Sequence, residues 1–153
     1  MEQADRAAIA DLIVSAGNFN PTEIDCALEL VDIYLTNPRQ TDYRVLVAQD
    51  AASNVRAYAC WGPVPLTQGT FDLYWIATHP DARGRGFGRA LMDCVEGKAV
   101  EMNGRLLALE TSAKASYAGT VEFYRRLGYE EVVRIRDFYD VGDDKIIFVK
   151  RLS

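Results

Sequence analysis

The sequence predicts a mixed α/β fold, a central sheet with helices on both faces. Three observations carry this. Helical and strand-like patterns follow one another in the order α-α-β-β-β-α-β-α-β-β. Leu106 to Leu109 is an uninterrupted apolar run, as expected of a strand buried on both faces. Phe71 to Thr78 is a strand that runs straight into a glycine- and arginine-rich loop, and that loop opens a helix. At 153 residues the chain is expected to form one domain (1–153), long enough to bury ~68–70% of its unfolded surface. No repeat, linker or low-complexity tract divides it.

Residues 5–16 place Ala8, Ile9, Leu12 and Ile13 at helical spacing. The next helix has a clear start: Asn20 can cap, Pro21 suits the first helical position and Glu23 completes a capping box. Its stripe is Ile24, Ala27, Leu28, Val31 and Leu35, and Asn37-Pro38 ends it. Tyr43 to Ala48 and Val55 to Trp61 read as strands joined by a short turn at Asp50 to Asn54. Gly62 to Gly69, with Pro63 and Pro65, reads as a loop. The helix from about Gly86 to Met102 turns Leu91, Met92, Val95, Ala99 and Met102 inward, and Asn103-Gly104 stops it. Residues 117–127 form a helix stopped by Gly128, a C′ glycine. Glu131 to Arg136 and Lys145 to Leu152 close the chain as strands, with a turn at Asp137 to Asp144.

The strand-to-helix junction, Ile76-Ala77-Thr78-His79-Pro80-Asp81-Ala82-Arg83-Gly84-Arg85-Gly86-Phe87-Gly88-Arg89, carries the chemistry. A helix start leaves its first N–H groups unpaired and partly positive. Glycines let a ligand approach the backbone, and Arg83, Arg85 and Arg89 add fixed charge. Together they describe an anion site of the kind that takes phosphate. A Walker A loop needs Gly-Lys before Ser or Thr, but the one Gly-Lys pair, Gly97-Lys98, precedes Ala99 in mid-helix. A dinucleotide fingerprint needs Gly or Ala at its sixth position, and counting from Gly84 that position is Arg89.

Arg83-x-x-Gly86-x-Gly88 resembles the coenzyme A pyrophosphate loop of the GNAT N-acetyltransferases, whose pattern is Gln/Arg-x-x-Gly-x-Gly/Ala. The Ile-Ala-Thr-His-Pro run before it resembles that family's fourth strand. Phe123-Tyr124-Arg125-Arg126-Leu127-Gly128-Tyr129 resembles its later helix and turn, and Asp137-Phe138-Tyr139 with Gly142-Asp143-Asp144-Lys145 resembles a bacterial subgroup. The resemblance covers about residues 43–152. It implies a GNAT-type acyl-CoA N-acyltransferase fold with a mixed, mostly antiparallel sheet and acetyl-CoA as co-substrate. The family opens with a strand; here only Met1 to Ala4 precede the first helix, so that strand is absent or vestigial.

Acetyl transfer to an amine needs a polarised thioester carbonyl, a deprotonated amine and a proton for the leaving thiolate. For the first, the resemblance implies backbone N–H groups near Ile76, Ala77 and Thr78, where the family's fourth and fifth strands splay around pantetheine. Gly84, Phe87 and the rest of the loop would hold the pyrophosphate. For the second, Asp72 interrupts an apolar strand at a position resembling the family's strand-four glutamate; Glu110 and a water relay are the alternatives. His79, before Pro80, reads as a loop residue beside the cofactor. For the third, Tyr124 matches the tyrosine that family members use to protonate the thiolate. Ser112 and Tyr117 are candidates for hydrogen bonds to pantetheine or adenosine phosphates. The rival reading is a domain of the same fold that holds acyl-CoA as a sensor without turnover.

A net charge of −5 argues against nucleic acid as partner. Cys26, Cys60 and Cys94 are odd in number and far apart, which argues against a disulfide framework or a zinc site, and each is expected to be a small buried hydrophobe. Charges at Glu2, Asp5, Arg6 and Asp11 leave no signal-peptide core, and no run approaches a membrane span. The expectation is a cytoplasmic enzyme without a metal, acting on a small-molecule or peptide amine, alone or as a homodimer.

Overall fold

These patterns resolve into four α-helices, six strands and two short 3-10 turns in a computed structural model that describes residues 1–153. Helix α1 spans Asp5–Ala16 and α2 Pro21–Thr36. The Asn20 side chain accepts from the Glu23 N–H at 2.9 Å while the Glu23 carboxylate accepts from the Asn20 N–H at 2.7 Å, so the capping box closes in both directions. Strands β1 (Arg44–Gln49), β2 (Val55–Pro63) and β3 (Thr70–Thr78) form an antiparallel meander. Helix α3 (Phe87–Glu101) carries the chain back to β4 (Leu106–Ser112), which lies parallel to β3. Helix α4 (Ala118–Arg126) leads to the hairpin β5 (Glu130–Asp140) and β6 (Asp143–Arg151). The sheet order is β1-β2-β3-β4-β6-β5, antiparallel everywhere except at β3–β4. No strand precedes α1 within residues 1–153.

Two cores flank the sheet. One joins Leu91, Met92, Val95 and Ala99 of α3 and Val121 and Tyr124 of α4 to Trp61, Phe71, Leu107, Leu109, Ile146 and Phe148. The other joins Ile9, Leu12 and Ile13 of α1 and Ala27 and Val31 of α2 to Val45, Tyr58, Cys60 and Ala77. The sheet residues of this second core come from β1, β2 and β3 and the residue just before β1. The opposite half of that sheet face, over β4, β6 and β5, therefore has no helical cover.

That asymmetry corrects the expectation for Leu106 to Leu109. Leu107 and Leu109 are buried, but Leu106 and Ala108 on the uncovered face are only half-buried. Of the cysteines, Cys60 is buried while Cys26 and Cys94 are exposed, against the expectation that all three are core residues. The expected loop from Gly62 is shorter, because β2 continues through Pro63 opposite Phe71. β1 ends opposite Trp61, so the missing proline N–H has no strand to pair with there. The expected turn from Asp137 is likewise tighter: β5 runs to Asp140 and only Val141-Gly142 link it to β6. No helix is long and apolar enough to cross a membrane.

Strand β3 contains a bulge. Cys60 pairs with Trp75 and Trp61 with Leu73, which leaves Tyr74 as an extra residue. Before it, Phe71 and Leu73 face the α3/α4 core; after it, Trp75 and Ala77 face the α1/α2 core.

Candidate active site

The β3–β4 ladder stops early. Its rungs are Thr70–Leu106, Phe71–Leu107, Asp72–Ala108 and Leu73–Leu109. Past Leu73, β3 stays with β2 up to Thr78 while β4 stays with β6 up to Ser112. The two strands therefore part, as the resemblance implies. The His79 N–H donates to the Arg56 carbonyl at 2.8 Å. Alternation from that bond turns the backbone groups of Ala77 toward β2 and those of Ile76 and Thr78 into the gap. Of the three expected donors, Ala77 is thus spent inside the sheet.

The gap opens into a cleft of about 700 Å³. Ile76, Ala77 and Thr78 form one wall, and Arg83, Gly84, Gly86, Phe87, Gly88 and Arg89 form the end. Gly86 caps α3 in a left-handed conformation (φ 89°), with no side chain capping the helix. The first bond inside α3 is Ala90 N–H to the Gly86 carbonyl, 2.9 Å. The N–H groups of Phe87, Gly88 and Arg89 are therefore unclaimed at a helix N-terminus, where an anion is favoured. A Cβ on Gly86 would meet nothing within 4 Å, so the space that a ligand would occupy is clear. A Cβ on Gly88 would come 3.4 Å from the Phe123 ring and Thr78 Oγ1, so this glycine serves packing as well. These features fit the pyrophosphate and pantetheine of a coenzyme A donor.

The arginines differ in role. Arg89 lines the cleft within 3.8 Å of Asp93. Arg85 lies outside the lining, 5.8 Å over the Phe87 ring. Arg83 lines the cleft, yet its guanidinium donates to the Ala16 carbonyl at 2.7 Å. Ser112 and Tyr117 also fall outside the lining, with their hydroxyls engaged. Ser112 Oγ donates to the Asp143 carboxylate, which Lys114 Nζ approaches at 3.3 Å, and the Ser112 bond leads in holding Asp143 below its ordinary pKa. Tyr117 Oη donates to the Asn18 carbonyl at 2.7 Å.

Sequence reasoning missed the α1–α2 turn (Ala16, Gly17, Asn18) and the start of α4 (Ser116, Gly119, Thr120), which complete the lining with Ala82 and Phe123. The available signals were Gly17 after a helical stripe and small residues opening a helix. Neither spacing reveals what such residues face.

The two proton-transfer candidates flank the apex of the gap from opposite sides of the sheet. Asp72 lies one rung below the last, on the face opposite Phe71 and Leu73. Burial, then the nearby Glu110 charge, pushes its pKa up to about 6, against lowering by the Leu73 N–H and Lys145. Glu110 is itself ion-paired with Lys145, whose Nζ sits 4.4 Å over the Phe138 ring. On the other face, the Tyr124 ring stacks 5.9 Å from Phe148. Phe148 pairs with Leu109, and Leu109 forms the last rung with Leu73. Tyr124 is 4% exposed and outside the cleft lining, and burial raises its pKa. His79 caps the turn Pro80–Ala82, its Nδ1 accepting from the Asp81 N–H at 3.3 Å.

Comparison with known proteins agrees with this geometry. A family model described as an acetyltransferase (GNAT) domain matches residues 41–131. An L-methionine sulfoximine/L-methionine sulfone acetyltransferase from Pseudomonas aeruginosa is 32% identical over 115 residues, 73% of this chain. The chain spans 64% of that relative's length. Among solved structures, a protein assigned to the GNAT acetyltransferases from Desulfovibrio desulfuricans superposes with a TM-score of 0.92 at 39% identity, covering 99% of this chain and 94% of its own. A Salmonella typhimurium protein solved with its cofactor acetyl-CoA shares the fold, with a TM-score of 0.76 at 17% identity, covering 100% and 91%. The strands that part after Leu73, the uncapped α3 and the match over residues 41–131 converge on one conclusion: the chain belongs to the GNAT acetyltransferase family.

Proposed function

We propose that this chain transfers an acetyl group from acetyl-CoA directly to a primary amine of a small molecule or peptide. The observation that carries the reading is the continuity of the gap, with Ile76 and Thr78 facing into it, and the unclaimed N–H groups of Phe87, Gly88 and Arg89. Pantetheine has amide groups of its own, and an open strand edge is suited to pairing with them. The start of α3 suits the pyrophosphate.

In this reading a backbone N–H of Ile76 polarises the thioester carbonyl near the apex. Asp72 takes a proton from the ammonium group, directly or through water. The amine nitrogen then bonds to the acetyl carbon, the C–S bond breaks, the Tyr124 hydroxyl protonates the departing sulfur, and the second proton on the nitrogen leaves through water and restores the Tyr124 phenol. A covalent acetyl-cysteine has no support: burial pushes the Cys60 thiol up to about 12, and no cysteine lines the cleft. Three free cysteines suit a reducing compartment such as the cytoplasm.

Acetyl-CoA at 100 times its Kd is expected to stabilise the protein by about 2.7 kcal/mol. For a chain of this size that is a rise in melting temperature of several degrees. ATP and NAD should give none. Thiol release should then appear with some member of an amine panel that includes amino acids, polyamines and peptides. L-methionine sulfoximine belongs in it because of the Pseudomonas relative. Equal shifts with ATP or NAD, or none with acetyl-CoA, overturn the assignment. Binding without thiol release across the panel favours the sensor reading.

A further inference from the structure

Arg83 and Tyr117 reach one short turn from opposite lips of the gap. Arg83 follows β3, and its guanidinium donates to the carbonyl of Ala16, the last residue of α1. Tyr117 follows β4, and its hydroxyl donates to the carbonyl of Asn18. Between them Gly17 sits at φ 75°, a left-handed conformation that leaves the backbone little resistance of its own. Ala16, Gly17 and Asn18 line the same cleft as Ile76 and Thr78. The turn therefore crosses from the β3 side to the β4 side where no strand pairing bridges them, and these two bonds tie it down.

Both bonds are well formed, and both are made by residues whose place in the sequence suggests ligand contact instead. Arg83 opens the Arg-x-x-Gly-x-Gly pattern. A guanidinium at the C-terminal end of α1 is favoured by the helix dipole, and the one hydrogen bond that the Arg83 side chain makes goes to the Ala16 carbonyl there. The phosphate end of the cleft retains Arg89.

We propose that Arg83 and Tyr117 are positioning residues. They hold the Ala16–Asn18 turn across the gap as the wall that keeps the pantetheine arm of the donor between β3 and β4, and Arg83 is not a phosphate ligand. The proposal rests on the acetyl-transfer reading above, from which the following experiment separates it.

Wild type, Arg83→Met, Arg83→Lys and Tyr117→Phe are compared with two donors, acetyl-CoA and S-acetylpantetheine. The second lacks the phosphates and the adenosine. Dissociation constants, kcat and KM are measured for each, with hydrogen exchange at residues 17–19. Losing the Tyr117 pin should cost about 3- to 10-fold in affinity, the range of one neutral hydrogen bond, and losing the charged Arg83 pin about 10- to 100-fold. Arg83→Met and Tyr117→Phe should each weaken the two donors equally, raise donor KM with little change in kcat, and speed exchange at 17–19 but not in the strands. Arg83→Lys, which can still donate to the Ala16 carbonyl, should stay near wild type. Arg83→Met weakening acetyl-CoA alone would make Arg83 a phosphate ligand and overturn the proposal. Variants that match wild type with both donors overturn the proposal and leave the acetyl-transfer reading standing. A wild-type protein that binds neither donor overturns both.

Discussion

Asp72 is pulled in two directions, because the burial that makes it a usable base also works against folding. Its pKa is raised from about 3.9 to about 6, so the folded state holds its proton more tightly than the unfolded chain does. The stability this confers is complete below about pH 4 and is lost as pH rises through about 6. Asp72→Asn should therefore melt higher than wild type at pH 8, and that gain should vanish at pH 4. The same substitution should lower kcat by roughly 10²- to 10⁴-fold and remove the rise of kcat/KM with pH near 6. Unchanged kcat would move the base to Glu110 or to water. For Tyr124 the raised pKa keeps the phenol protonated through neutral pH. Tyr124→Phe should keep acetyl-CoA affinity and lower kcat by roughly 10- to 10³-fold at saturating donor, within or below the usual range for a lost acid or base. Its ring contacts with Phe148 and Tyr129 survive the change. If kcat holds while stability falls, Tyr124 is a structural tyrosine.

The elements most readable from sequence are those whose signals are local. Asn20-Pro21-Thr22-Glu23 states its own capping box, and Gly128 adopts the positive φ of a helix stop. Gly86 is the sharpest case: the motif asks for a bare backbone, and the chain gives it φ 89° with open space where a side chain would go. Gly86→Val should abolish acetyl-CoA binding in calorimetry while leaving the circular dichroism native. The added side chain enters the ligand's space rather than a packed one, though the left-handed φ adds some local strain. Undiminished affinity would reduce the glycine to a turn former. What sequence could not supply is pairing at a distance. The gap exists because β4 turns to β6 from the far end of the chain. Ser112 and Tyr117 look free in the sequence, yet Asp143 and Asn18, remote partners, claim their hydroxyls. Cys26 and Cys94 are exposed because their helical positions fall off the stripes facing the sheet.

At the scale of the molecule, the fold class and the position of the glycine-rich loop between β3 and α3 were legible because they follow from element order and one motif. The division of the sheet into two unequally covered halves was not. Helices α1 and α2 reach only β1 to β3 and the residue before β1, and the length of a helical stripe says nothing about how many strands it spans. The bulge at Tyr74 lies where the two coverings change over, and it acts as a phase shift along β3. With it, Trp75 and Ala77 fill the α1/α2 core while the amides of Ile76 and Thr78 look into the gap. Without it, odd and even positions would trade places: Trp75 and Ala77 would turn toward α3 and α4, and their amides, in place of those of Ile76 and Thr78, would look into the gap. The donors of this wall come from main chain, so a change of side chain leaves them in place, whereas a change in residue number turns the core side chains to the wrong face. Over Leu73 to Thr78 the protein is constrained in length more than in spelling.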